Sequence, residues 1–133
     1  TIDEIELGLI GTVNAVVLTE NSFNIKYILR LLNSNLLNVY LKKRFTTISL
    51  TAAFLGVLPI NKIETESKKK ISLEIVDCVN QMIDLKADRL ATTLHSKIEI
   101  IENRFGFLNS KLNHLVYDLY DLSKKEIELI EQN

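Results

Sequence analysis

Cysteine, proline and glycine are scarce in this sequence, and each shortage excludes something. The lone cysteine, Cys78, rules out an internal disulfide. The only proline is Pro59, and the four glycines are scattered at positions 8, 11, 56 and 106. Long hydrophobic runs are also missing. The best candidate, Ile48 to Ile60, is broken by Thr51, Gly56 and Pro59, well short of the roughly 20 apolar residues that a membrane-spanning helix needs. Thr1-Ile2-Asp3-Glu4 lacks the basic start and apolar follow-on of a signal peptide. With no initiator methionine, the chain is expected to be a fragment of a longer protein. An excess of one charge is absent too: the net charge is −1, so composition does not announce a nucleic-acid binder.

What is present is apolar mass. Of 133 residues, 47% are hydrophobic, enough for a real core. The charge is uneven along the chain. Up to Lys62, six basic residues face four acidic ones, a balance of +2; from Ile63 onward ten face thirteen, a balance of −3. Only the first part suits a phosphate-facing surface, and weakly.

The first part reads as a small mixed α/β piece. Val13, Ala15 and Val17 alternate within Gly11–Thr19, the period of a half-buried strand. Asn24 is placed to cap a helix from Ile25 to about Arg44, with Phe23 and Ile28 as a staple. Asn33-Ser34-Asn35, three weak helix formers, predicts a bend in it. Lys42-Lys43-Arg44 closes the helix, where cations oppose the negative dipole end. That role suffices to explain them; phosphate contact is the sharper reading. Phe45–Leu50 reads as loop or strand, Thr51–Leu55 as a short helix, and Val57–Ile60 as a short edge strand that tolerates Pro59.

From Lys68 the pattern turns helical. Ile71, Ile75, Cys78, Met82 and Leu85 follow spacings of four and three; the stripe slips near Ala87–Leu90 and resumes from Leu94 to Leu119. The spacing predicts one helix from Ile71 to Phe105, a break at Gly106, and a returning helix over Phe107–Leu122. The tail is the most specific stretch. Leu115, Leu119 and Leu122 share a face, and Ser123-Lys124-Lys125-Glu126 spells a capping box, with Leu122 and Ile127 as its staple. This predicts helix, sharp turn, short terminal helix.

Three segments carry a resemblance. Leu115-Val116-Tyr117-Asp118-Leu119-Tyr120, continuing through Glu126-Ile127 to Ile130-Glu131, resembles the closing segment of adenine-specific DNA methyltransferases and of fused restriction–methylation enzymes. Asp121 stands where that family often has glycine. Asn24-Ile25-Lys26-Tyr27 through Asn33-Ser34 to Tyr40 resembles a helix of their target-recognition domains, and Phe54 through Leu58-Pro59-Ile60 a short segment beside it, with Asn61 in place of a second proline. Specificity subunits of multisubunit restriction systems carry a similar pair. The same tail also suits an ordinary amphipathic helical hairpin.

Pattern and resemblance together predict an α+β fold, mostly helical overall: the distal part of a target-recognition domain, a small mixed α/β piece, over residues 1–63, and a long helical hairpin or coiled-coil-like spacer over 64–133. The resemblance implies a module that reads double-stranded DNA and positions it for a catalytic methyltransferase domain elsewhere in the parent or in a partner subunit. Lys42, Lys43, Arg44 and Lys62 would meet the DNA backbone; Thr46, Thr47 and Ser49 would reach phosphates or base edges. The alternative is a helical assembly element of a specificity subunit with little DNA contact, which could self-associate.

Catalytic equipment is missing. Methyl transfer in this family uses an Asn/Asp-Pro-Pro-aromatic loop and a glycine-containing loop for S-adenosylmethionine, and neither occurs here. No cofactor is expected in this chain: S-adenosylmethionine would belong to the parent, with magnesium if the parent also cuts. Glu64, Glu66 and Lys68 read as a solvated linker rather than a nuclease cluster. His95, His114 and Cys78 read as structural, and Asp84/Asp88 and Asp118/Asp121 as surface pairs. Tyr117 and Tyr120 read as packing residues rather than base-stacking ones.

Overall fold

The structure, a computed structural model, describes residues 23–44 and 59–133. Within them run five helices: α1 (Ile25–Leu32), α2 (Asn35–Arg44), α3 (Glu66–Ala91), α4 (His95–Leu119) and α5 (Lys124–Glu131). Helices take up 79% of the described residues, and no strand occurs among them. This corrects the α+β expectation. The expected strand over Gly11–Thr19, the Phe45–Leu50 segment and the Thr51–Leu55 helix lie outside the described residues. Of the expected edge strand, Pro59 and Ile60 are described and are irregular. The reason is visible: the carbonyl of Pro59 and the N–H and carbonyl of Asn61 are taken by tyrosine hydroxyls, so they are not available to a ladder.

α1 starts where its chemistry says. Asn24 is extended, and its side-chain oxygen accepts the Lys26 N–H at 2.8 Å. Phe23 stacks on Tyr27, with ring centroids 6.0 Å apart. The expected bend is a full break. The Asn33 amide donates to the Leu29 carbonyl (2.9 Å) and the Ser34 hydroxyl to the Leu31 carbonyl (2.7 Å), each side chain joining its own backbone N–H on that acceptor and tightening the end of α1. Ser34 Oγ then accepts the Leu37 N–H at 3.3 Å, starting α2 afresh.

α3 and α4 form an antiparallel hairpin about 39 Å long, from 26 residues at 1.5 Å each. Its turn is Thr92-Thr93-Leu94, not Gly106, which corrects the expected helix course. Thr92 and Leu94 are extended, and Thr92 Oγ1 accepts the Leu94 N–H at 3.3 Å. The slip of the apolar stripe near Ala87–Leu90 marks the approach to this turn. Gly106 sits inside α4, where an added Cβ would meet nothing within 4 Å. It is a tolerated weak helix former, not a breaker. Lys111–Glu74 (3.0 Å), Arg104–Gln81 (3.4 Å) and Arg89–Glu102 (3.8 Å) link the two helices in succession toward the turn.

The core lies at the closed base of the hairpin. Tyr27, Ile28 and Leu31 of α1 and Leu37 of α2 pack with Ile75, Cys78 and Val79 of α3 and Leu108, Leu112, Leu115, Val116 and Leu119 of α4. Nearer the turn the apolar positions stay open: Leu90 is 81% exposed and Ile100 68%. The stripe read from the sequence is therefore buried at one end only, where α1 and α2 cross it.

The tail follows its predicted course. At the end of α4, Leu122 N–H donates to the Tyr117 carbonyl and Asp121 N–H to that of Asp118, both at 3.1 Å, the paired bonds of a Schellman turn. Asp121 takes φ = 54°, the left-handed conformation that glycine adopts freely. The capping box then forms in both directions: Ser123 N–H to Glu126 Oε2 (2.7 Å) and Glu126 N–H to Ser123 Oγ (3.4 Å).

Candidate functional site

Two polar arrangements hold α1, α2 and the Pro59–Asn61 segment onto the hairpin. The first is a tyrosine clasp. Tyr27, fully buried on α1, donates its hydroxyl to the Asn61 carbonyl at 2.8 Å. Tyr120, at the end of α4, donates to the Pro59 carbonyl at 2.5 Å and accepts the Asn61 N–H at 3.1 Å. The Asn61 amide adds a bond to the Leu119 carbonyl at 3.1 Å, filling an acceptor left open by the helix end. Each of the three resembling segments contributes: Tyr27 from the first, Pro59 from the second, Tyr120 from the third. Asn61, the departure from the family's second proline, supplies the N–H that proline lacks.

The second arrangement centres on Arg30, only 6% exposed. Its guanidinium donates to Asn109 Oδ1 (3.0 Å), the Asn109 carbonyl (3.3 Å) and Asn113 Oδ1 (2.7 Å). Asn113 Oδ1 also accepts the Asn35 N–H at 3.2 Å, so one amide joins α1, α2 and α4. No carboxylate pairs with Arg30 among the described residues, and its Nε has no partner. Lys26 Nζ adds a tie from α1 to Asn80 Oδ1 on α3.

Burial sets the electrostatics. It pushes the hydroxyls of Tyr27 and Tyr120 above their ordinary range, the Asn61 N–H partly opposing it at Tyr120. Burial likewise raises Tyr117 and lowers Arg30. The Cys78 thiol is buried in the core and pushed up, so it is a poor nucleophile. His114 meets Tyr117 edge-on at 5.6 Å. Asp84, Asp88, Asp118 and Asp121 are exposed. Among the described residues no group of three His, Cys, Asp or Glu is placed to hold a metal, and no helix is long and apolar enough to cross a membrane. The Tyr117 ring is fully buried and the Tyr120 ring half-buried, so Tyr117 has no free face for stacking on a base.

The expected DNA-contacting residues divide by position. Lys42 and Lys43 are exposed on the last turn of α2, which Arg44 ends. Lys62 is exposed one residue beyond the clasp. Thr46, Thr47 and Ser49 lie outside the described residues. Tyr27, Arg30, Asn61, Asn109 and Asn113 are polar anchors that the sequence reading does not single out. Asn109 and Asn113, four apart on one face of α4, were the available signal.

The first 60 residues match the model of the TaqI-like C-terminal specificity domain. No curated protein and no solved structure matches the chain. The matched stretch contains α1, α2 and the first two residues of the clasped segment, and it ends where the polypeptide passes to the helical hairpin. Over these first 60 of its 133 residues, the chain is similar to the C-terminal specificity domain of restriction–modification enzymes.

Proposed function

We propose that this chain reads the DNA target of an adenine-specific methyltransferase in a restriction–modification system. It would position the duplex for a catalytic domain in the same polypeptide or a partner subunit. The family match over residues 1–60 carries the proposal. S-adenosylmethionine, and magnesium if the parent also cleaves, would be bound by that catalytic part, in the cytoplasm of a prokaryote. The target base would leave the stack for methylation, and this module would supply register and sequence selection. Lys42, Lys43, Arg44 and Lys62 would neutralise phosphates, with Thr46, Thr47 and Ser49 toward phosphates or base edges.

The test is a selection from a randomised duplex pool at low salt, followed by a salt titration of the enriched duplex. A sequence-selective complex is expected. Replacing Lys42 and Lys43 together with alanine should weaken binding to all duplexes alike and reduce the log–log salt slope by about 2. No enrichment at any salt concentration would refute the reading.

A second reading has its own support. From Ile63 onward the charge balance is −3, and the open end of the hairpin exposes Ile83, Leu90, Leu94 and Ile100. On this reading the hairpin is chiefly an assembly element that self-associates through that apolar end. Sedimentation of the chain and of Leu90→Glu separates the cases: a dimer abolished by the charge favours assembly, and a monomer at all concentrations rejects it.

A further inference from the structure

We infer that Tyr27 and Tyr120 are positioning residues for target recognition: together they fix the exit of the specificity domain, Pro59 to Asn61, to the base of the helical hairpin. The inference rests on the DNA-reading function proposed above. Its physical basis is the convergence of three hydroxyl-mediated bonds on one short segment. Tyr27 reaches Asn61 across 34 positions of sequence, and Tyr120 reaches Pro59 and Asn61 across 61 and 59. Both backbone groups of Asn61 and the carbonyl of Pro59 are thereby held, and the Asn61 side chain is tied to Leu119. Tyr27 is fully buried and stacked on Phe23, so its hydroxyl has little freedom to move.

An irregular segment held by helix side chains has one position, whereas the same segment left to water has many. The clasp acts where that choice matters for reading. Lys62 follows Asn61 directly and is exposed, so its placement depends on the clasp. α1 carries Tyr27 and leads through Ser34 into α2, whose last turn presents Lys42 and Lys43. The clasp therefore joins the helices that lead to one set of cations with the segment that leads to the other. Neither tyrosine needs to touch DNA. Their role is to hold the cations in one register, so that a matched sequence is distinguished from a mismatched one.

The test uses the 133-residue chain with Tyr120→Phe and, separately, Tyr27→Phe. Each keeps the ring and removes only the hydroxyl. Hydrogen exchange at the Asn61 amide and the ratio of affinities for selected and scrambled duplexes are measured together. Tyr120→Phe should speed Asn61 exchange about tenfold. It should also lower the affinity ratio about tenfold while scrambled-duplex binding and its salt slope stay unchanged. Tyr27→Phe should lower the ratio in the same direction. Cys78→Ala, buried in the core outside the clasp, should lower the melting temperature and leave the ratio intact. Unchanged Asn61 exchange in Tyr120→Phe would overturn the clasp itself. Faster exchange with an unchanged ratio would reduce it to a structural fastening and overturn the positioning role. A wild-type chain that prefers no duplex would refute the DNA reading and the positioning role with it, while the exchange result would still report whether the segment is fastened.

Discussion

Asp121 offers a test of the tail geometry with a predictable sign. It holds φ = 54° at the left-handed position of the turn that ends α4. An L-residue pays about 1–2 kcal/mol there, somewhat less for aspartate, whose side chain tolerates the region. Asp121→Gly removes that strain. The more flexible unfolded chain takes back about 0.5–1 kcal/mol. The ion pair to Lys68 is also lost, but at 3.9 Å with the aspartate side chain 81% exposed it contributes a few tenths of a kcal/mol at most. Removing an anion from a helix C-terminus returns a similar amount. The net expectation is a gain of about 0.5 kcal/mol and a rise in Tm of about 2 °C. Asp121→Ala loses the same charge and the same ion pair but keeps a Cβ, so it should be about 1 kcal/mol less stable than Asp121→Gly. The difference between the two variants isolates the backbone term. Chemical denaturation followed by circular dichroism measures it. If the alanine and glycine variants are equally stable, the left-handed turn at Asp121 is refuted.

Gly106→Ala should stabilise the chain by about 0.5–1 kcal/mol, because the site is helical and an added methyl meets nothing; a loss of stability in the same denaturation assay would return the helix break to Gly106. Leu112→Ala, fully buried between the helices, should cost about 2–5 kcal/mol, whereas Leu90→Ala at the open end should change the denaturation midpoint by less than about 0.5 kcal/mol. The Glu126 carboxyl is held below its usual 4.5, first by the Ser123 backbone N–H and then by its hydroxyl, so its contribution is present above that value and lost as pH falls through the lower folded one. Glu126→Gln should remove this acid-side loss, read as helicity of the terminal segment against pH. Burial raises Tyr27, Tyr117 and Tyr120 above the ordinary tyrosine value near 10, so the stability they contribute is complete below about pH 10 and lost as pH climbs through the folded values. Tyrosinate absorbance should then rise together with unfolding; full ionisation of these tyrosines in a folded chain would contradict their burial.

Local chemistry was legible in the sequence where it acts over three or four residues. The Asn24 cap and the Ser123–Glu126 box each satisfy their partners within one helical turn, so spacing alone reveals them. The Asn33-Ser34 interruption was visible as well, but not its depth, because a bend becomes a break only when side chains capture the Leu29 and Leu31 carbonyls. The hairpin turn was misplaced because glycine is the stronger punctuation mark in general, yet an exposed glycine within a long helix costs only about 1 kcal/mol. Two threonines and a slipped stripe were the quieter and truer signal. The clasp could not be read at all. Its bonds span 34 to 61 positions, and a tyrosine in a helical stripe looks alike whether its hydroxyl meets solvent or a distant carbonyl. The burial of Arg30 is equally hidden: nothing within one turn of it forecasts Asn109 and Asn113.

The buried core of the hairpin lies in its half away from the turn, and this has a mechanical consequence. Beyond the last core residue of α3, Val79, the helix runs on for 12 residues to Ala91, about 18 Å, so each degree of tilt at the core sweeps the tip through roughly 0.3 Å. Small rotations at Ile75, Leu112 and Tyr27 are therefore carried outward to the exposed Leu90 and Leu94 at the turn.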